Sequence, residues 1–256
     1  MSITVITGGA SGIGLATAKA LASSGKKVAL MDLKLGDSLN SLSGDGHLGF
    51  SVDVTDADSV QKIIEGIDEP IEGLVVCAGI VSEELLVDIS PANFEKVMRI
   101  NVFGAQNVMA PVARQMIARG IEGSIVVLAS VAAFVGGGLM GRGAYATSKA
   151  AVLGLVRSYA RELAGHKIRT NTVSPGATDR IEGPALEQLE DIGLGESLVD
   201  DLARLLDRDL EVIHRRFTPC LAHRQGHLFQ RPAAPACASR RNRKEQGREV
   251  GGYLRG

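Results

Sequence analysis

"SITVITGGASGIGLATAKALASSG", residues 2–25, decides how the chain is read. Its first six residues form a β-branched run. Gly8, Gly12 and Gly14 follow, and Leu15, Ala18, Leu21 and Ala22 then recur at helical spacing until Gly25, the residue expected just past a helix C-terminus. Strand, glycine turn and helix together let a backbone approach a pyrophosphate closely, with free N–H groups at the helix N-terminus meeting its charge. A glycine cluster alone also fits an ordinary tight turn, so the rest of the chain must discriminate.

Working outward, apolar β-rich runs recur at "KVALMD" (27–32), "LGFSV" (48–52), "GLVVC" (73–77), "SIVVLA" (124–129) and "IRTNTV" (168–173), mostly separated by segments of helical spacing. Strands that read as continuous apolar runs and alternate with helices predict a parallel sheet covered on both faces. The expected fold class is therefore α/β: a single-domain, Rossmann-like, doubly wound sheet. With 256 residues, 45% hydrophobic and 22% charged, the chain suits one large domain. The start "MSITVIT" shows no basic region, apolar core or cleavage site of a secretory signal. Cys77, Cys220 and Cys237 are scattered without CxxC spacing, which argues against a disulfide framework or metal site and fits a cytoplasmic setting. The uncharged stretch Gly123 to Gly141 begins β-branched and ends glycine-rich, so it reads as a buried strand running into a loop and not as a membrane span.

The second strand ends at Asp32, 18 residues beyond Gly14, where a carboxylate can accept hydrogen bonds from the adenosine ribose. Such a carboxylate repels a 2′-phosphate, and Ser11, not a basic residue, precedes Gly12; NAD is expected over NADP, with Lys34 the one feature favouring NADP. After a glycine-rich stretch further along the chain, "YATSK" (145–149) puts Tyr145 and Lys149 four apart, on one helical face. An ammonium there can stabilise tyrosinate and draw the phenol down from its reference near 10, as a general acid/base requires. Val152, Val156, Tyr159 and Leu163 continue the stripe, so that helix has a buried face. Taken alone, the pair equally fits a core tyrosine and a solvated lysine.

"TGGASGIG", Asp32, "DV" at 53–54, "AG" at 78–79, "NV" at 101–102, Ser130, "YATSK" and "SPGAT" at 174–178 together resemble the short-chain dehydrogenase/reductase family of the classical type, over residues 1 to about 180. The resemblance implies an NAD(H)-dependent oxidoreductase that interconverts a secondary alcohol and a ketone. It implies that Tyr145 exchanges the proton with the substrate oxygen, that Lys149 assists it and binds the nicotinamide ribose, that Ser130 orients the substrate, and that Asn101 supports a proton relay. On the cofactor it implies Thr7, Gly8, Ser11, Gly12, Ile13 and Gly14 at the pyrophosphate, Asp32 at the ribose and Asp53 and Val54 at the adenine. Ala78 and Gly79 would lie beside the ribose, with Pro175, Gly176 and Thr178 at the nicotinamide end. The rival reading is a dinucleotide-binding protein without turnover.

Two departures stand out. Val76 and Cys77 replace the asparagines usual before Ala-Gly, so hydrogen bonds that brace the sheet are expected to be missing. Ser130 and Tyr145 are 15 apart, with the extra length in "GGGLMGRG". Past residue 190 the resemblance fades. The stretch 179–214 alternates acidic residues and leucines at helical spacing and is expected to form a substrate lid. Residues 215–256 carry ten basic and two acidic side chains, no isoleucine and a single valine, so the last strand is expected to be missing. A shifted reading frame, a disordered basic tail and a divergent folded end all fit that composition. The sparse aromatics Phe217, Phe229 and Tyr253 argue against specific nucleic-acid recognition, and a homo-oligomer is expected if that end folds.

Overall fold

The computed structural model describes residues 2–137, 141–176 and Leu206. Six strands, β1 (Ile3–Thr7), β2 (Lys27–Asp32), β3 (Leu48–Ser51), β4 (Ile71–Val76), β5 (Ser124–Leu128) and β6 (Arg169–Val173), form one sheet in the order β3-β2-β1-β4-β5-β6. Every pairing is parallel. Each apolar run quoted above falls on one of them, although β4 begins at Ile71, two residues before the run read at 73–77. The ladder even continues past the strand ends, because Cys77 N donates to Thr7 O, Val52 N to Asp32 O and Ala129 N to Val173 O.

The helices are α1 (Gly12–Ser23), α2 (Ala57–Glu65), α3 (Pro91–Met98), α4 (Gly104–Ala118), the short α5 (Ala132–Val135) and α6 (Ala144–Leu163). Strand periodicity sends successive side chains to opposite faces. Val5, Ala29, Met31, Leu74, Val76, Ile125 and Val127 therefore join a core with residues of α2, α4 and α6. Ile6, Val28, Leu30, Val75, Val126 and Leu128 join a second core with Ala18, Leu21 and Ala22 of α1. Leu206 is buried in that second core. The sheet is thus wound on both faces, as its continuous apolar runs require.

Local signals set the helix ends. At the end of α1, Gly25 N donates to Ala22 O and Lys26 N to Leu21 O, closing the helix with Gly25 at φ +80. Asp56 caps α2 through Ser59 N (3.1 Å) and Ser59 Oγ (2.7 Å), bonds that hold its carboxyl below the usual range. Between α3 and α4 the chain widens into one π-helical turn, Arg99–Phe103. The stretch 123–141 places its β-branched half in β5, which is wholly buried. Among the described residues no helix is long and apolar enough to cross a membrane. Thr178, the expected lid at 179–214 apart from Leu206, the question of a further strand and the segment 215–256 lie outside the described residues.

Leu74 is fully buried at the centre of the sheet. Leu74→Ala is expected to lower the unfolding free energy by about 2–5 kcal/mol. Asp56→Ala removes only an exposed cap and should cost much less; urea denaturation of the two variants checks the order.

Candidate active site

Parallel strands deliver their following loops to one edge of the sheet, and the order reverses between β1 and β4. The glycine turn lies at that crevice. Gly8 has φ +64, and a Cβ there would stand 2.8 Å from Ala78 N. At Gly14 a Cβ would lie 2.2 Å from Gly8 O. No side chain fits at either position, so the turn folds tightly back onto the start of α1. Asp32, at the end of β2, accepts a hydrogen bond from Ala10 N at Oδ2 (3.0 Å). Its Oδ1 has no hydrogen-bond partner among the described residues. Ser11 precedes α1 with an exposed side chain that makes no capping bond, and nothing stands within 4 Å of a Cβ built on Gly12.

An open helix N-terminus, a bare glycine beside it and a carboxylate with one oxygen free fit the pyrophosphate and ribose of a dinucleotide. Ile13 is half-buried and packs toward the α1-side core. Thr7 lies deeper: it is fully buried and its Oγ1 accepts from Ala78 N (3.4 Å). Asp53 is exposed and closes a local turn by accepting from Thr55 N (2.8 Å). Val54 is buried, with its side chain against Gly104 and its carbonyl accepting from Asn107 Nδ2 (2.9 Å).

Across the crevice, Asn101 sits in the π-helical turn and is buried. Its amide clamps the backbone of Ile80 from both sides: Oδ1 accepts from Ile80 N (2.8 Å) and Nδ2 donates to Ile80 O (2.9 Å). Nδ2 also donates to Ser148 Oγ (2.9 Å), whose hydroxyl donates to Tyr145 O (2.7 Å). One side chain thus ties the loop after β4 to the first turns of α6. Val76 and Cys77 contribute no side-chain hydrogen bond among the described residues; the neighbouring backbone is held at Ala78 by the Thr7 hydroxyl and at Ile80 by Asn101.

Lys149 is buried, and its Nζ donates to Leu128 O (2.7 Å) at the end of β5. The ammonium lies 5.8 Å from the centroid of the Tyr145 ring. Gly79 permits this crowding, since a Cβ there would lie 3.0 Å from Asn101 Oδ1 and 3.7 Å from Lys149 Nζ. Burial pushes the Lys149 ammonium down to about 8 and the Cys77 thiol up to about 12, each opposed by the other's charge. Cys77 therefore stays a thiol at neutral pH.

Ser130 is buried just past β5 and accepts from Ala132 N (3.2 Å), which starts α5. Pro175 O receives Val131 N (3.0 Å), so the chain after β6 lies beside Ser130; Gly176 follows, half-buried. Tyr145 N donates to Arg142 O (2.9 Å), and the ring lies so close to Gly141 that a Cβ there would be 2.2 Å from Cδ1. The fold thus brings Asn101, Ser130, Tyr145 and Lys149 to one edge of the sheet. It also recruits Ser148, which the sequence reading passed over although it stands inside "YATSK", three residues after Tyr145 and so on its side of the helix.

Residues 2–183 match the family model described as short chain dehydrogenase. The human (3R)-3-hydroxyacyl-CoA dehydrogenase is 34% identical over 191 residues, 68% of this chain and 72% of that protein. The 3-oxoacyl acyl-carrier-protein reductase FabG of Thermotoga maritima is 37% identical over 196 residues, 73% of this chain and 77% of that one. Among solved structures, a short-chain type dehydrogenase/reductase from Mycobacterium marinum superimposes with TM-score 0.71 at 31% identity, covering 80% and 87% of the two chains. An NAD+-bound xylitol dehydrogenase does so with TM-score 0.65 at 32% identity, covering 73% and 74%. Sheet order, glycine turn and sequence agree: the chain belongs to the short-chain dehydrogenase family, oxidoreductases built on a fold that binds a nicotinamide dinucleotide.

Proposed function

We propose that the chain interconverts a secondary alcohol and a ketone, with Tyr145 as the proton-exchanging group and NAD(H) as the redox partner. The observation that carries this reading is the buried Lys149 ammonium, held by Leu128 O at 5.8 Å from the Tyr145 ring. A cation in a desolvated place stabilises the negative charge that grows on the phenolic oxygen as its proton leaves. Tyr145 donates that proton to a carbonyl oxygen in one direction and removes it from a hydroxyl in the other. Ser130 Oγ, buried beside the start of α5, orients the same oxygen and stabilises its charge by a second hydrogen bond. Asn101 acts mainly by position, fixing Ile80 and, through Ser148, the first turn of α6.

A dinucleotide bound along Gly8, Ser11, Gly12, Ile13 and Gly14 would supply or accept the hydride. Asp32 would hold its ribose with the carboxylate oxygen that Ala10 leaves free, which supports NAD over NADP. Ala78 and Gly79, then Pro175, Gly176 and Thr178, would border the ribose and nicotinamide. Thr7 serves this reading from below, as a buried brace of Ala78. Asp53 and Val54 would border the adenine. The names of the similar hydroxyacyl dehydrogenase and oxoacyl reductase describe the two directions of one alcohol–ketone exchange, which supports the reaction class.

Tyr145→Phe is expected to lower turnover of NADH with a ketone panel by about 10²–10⁴-fold while dinucleotide affinity changes little. Equal rates for variant and parent would sink the assignment. Asp32→Ser should shift the NADH-to-NADPH affinity ratio toward NADPH at least about tenfold, measured by fluorescence titration; an unchanged ratio overturns the choice of NAD.

Burial also gives Lys149 a stability signature. Unfolded, the amine keeps its ordinary value of 10.5; folded, it falls to about 8. Below pH 8 both states carry the proton and the folded state bears the full cost of the buried charge, about 3 kcal/mol at 1.36 kcal/mol per pKa unit. Between 8 and 10.5 the unfolded chain binds a proton that the folded chain has released, so this contribution raises stability as pH rises. Lys149→Met should therefore be at least as stable as the parent at pH 7, lose that advantage by pH 10.5, and be nearly inactive. Urea melts at the two pH values, without cofactor, check the sign.

A further inference from the structure

The described surface exposes few large apolar side chains, and most of them gather beside Ser130 and Tyr145. Val81, Leu85, Leu86 and Val87, on the loop after β4, are 49%, 49%, 59% and 88% exposed. Phe134 and Val135, on α5, are 64% and 62% exposed. These two groups are joined through the segment that leads into α6. Arg142 N donates to Ser82 O (2.7 Å), and a Cβ on Gly143 would stand 3.2 Å from Leu86 Cγ. On the other side, a Cβ on Gly137 would stand 3.0 Å from Gly141 O and 3.2 Å from Arg142 Cα. Residues 134–137, 141–143 and 82–86 thus form one strip. Its ends are tied to the proposed chemistry: the Ser130 hydroxyl accepts Ala132 N of α5, and Gly141 lies against the Tyr145 ring.

A contiguous apolar strip on a surface marks a binding site more often than a solvated face. The charged side chains on this one do not make it an ion trap. Glu83, Glu84 and Arg142 are of mixed sign, and Glu84 is engaged by Asn93 Nδ2 (3.0 Å). The strip meets the Tyr145 ring at Gly141 and follows Ser130 through α5, so a substituent of a ketone held at Tyr145 and Ser130 can lie along it. We infer that the site selects substrates in which that substituent is an alkyl or acyl chain, with Leu86 and Phe134 setting the preference, and that it discriminates against polyols and ketoses. Hydroxyl-bearing carbons laid on Val81, Leu86 and Phe134 would lose water without gaining hydrogen-bond partners. This inference rests on the proposed alcohol–ketone activity and names its substrate class.

Steady-state kinetics with the full chain and NADH over 2-butanone, 2-hexanone, 2-octanone and a ketopentose test it. The expected result is a kcat/KM that rises about threefold or more per added methylene, chiefly through KM, with the ketose the poorest substrate. Leu86→Ser and Phe134→Ser should flatten that rise. A flat chain-length profile in the parent, or a preferred ketose, overturns the inference. A parallel calorimetric titration with 2-hexanol and 2-octanol separates it from the activity. Tighter binding of the longer alcohol, lost in Phe134→Ser, upholds the apolar site even if no ketone turns over and the oxidoreductase assignment falls. Sedimentation covers the remaining occupant: if Phe134→Ser dissociates an oligomer and leaves the chain-length profile intact, the strip seats a second copy and the inference fails.

Discussion

Burying the Lys149 ammonium at the end of β5 costs several kcal/mol unless other groups replace its water, and much of the surrounding architecture answers that requirement. Leu128 lends its carbonyl at the end of β5, one residue past Val127, the last residue paired with β4. Gly79 contributes by having no side chain, so that Asn101 and the ammonium can crowd into the same corner. Even so, compensation is incomplete, which is why the ammonium falls to about 8. A cation that was fully solvated would stabilise a developing phenolate far less.

The sheet makes the corner available. Because all six strands run the same way, the glycine turn after β1, Asp32 at the end of β2, Gly79 after β4, Ser130 after β5 and Pro175 after β6 lie along one edge. The reversal of strand order between β1 and β4 separates two neighbouring loops and opens a crevice there. Helix α6 then carries Tyr145 and Lys149 along the sheet, with Val152, Val156 and Leu163 buried beneath it. Its stripe anchors the helix, and its first two turns carry Tyr145 and Lys149.

Much of this was legible from residues alone. The six strands could be read because they are buried on both faces, so their apolar runs are unbroken and bounded by turn residues. Tyr145 and Lys149 could be paired because helical spacing fixes their face, and Gly8 and Gly14 because a tight turn onto a helix N-terminus tolerates no side chain. Other features depend on partners far away in sequence. Nothing in "MDLK" says that Asp32 holds Ala10 N, 22 positions earlier. Likewise, Thr7 turns inward to Ala78, Val54 packs onto Gly104, and Asn101 clamps Ile80 and grips Ser148, because of how separate elements approach.

By itself, the sequence determined the parallel α/β architecture, the glycine turn and the helical pairing of Tyr145 with Lys149, since each follows from periodicity or sterics within a few residues. Tertiary structure alone decided that Lys149 is buried with its ammonium drawn down, that Asn101 works as a clamp, and that the segment 141–143 lies between Gly137 and Leu86. The reason is physical: desolvation and hydrogen bonding depend on what surrounds a group in space, and that surrounding is assembled from strands and helices that lie far apart in the chain.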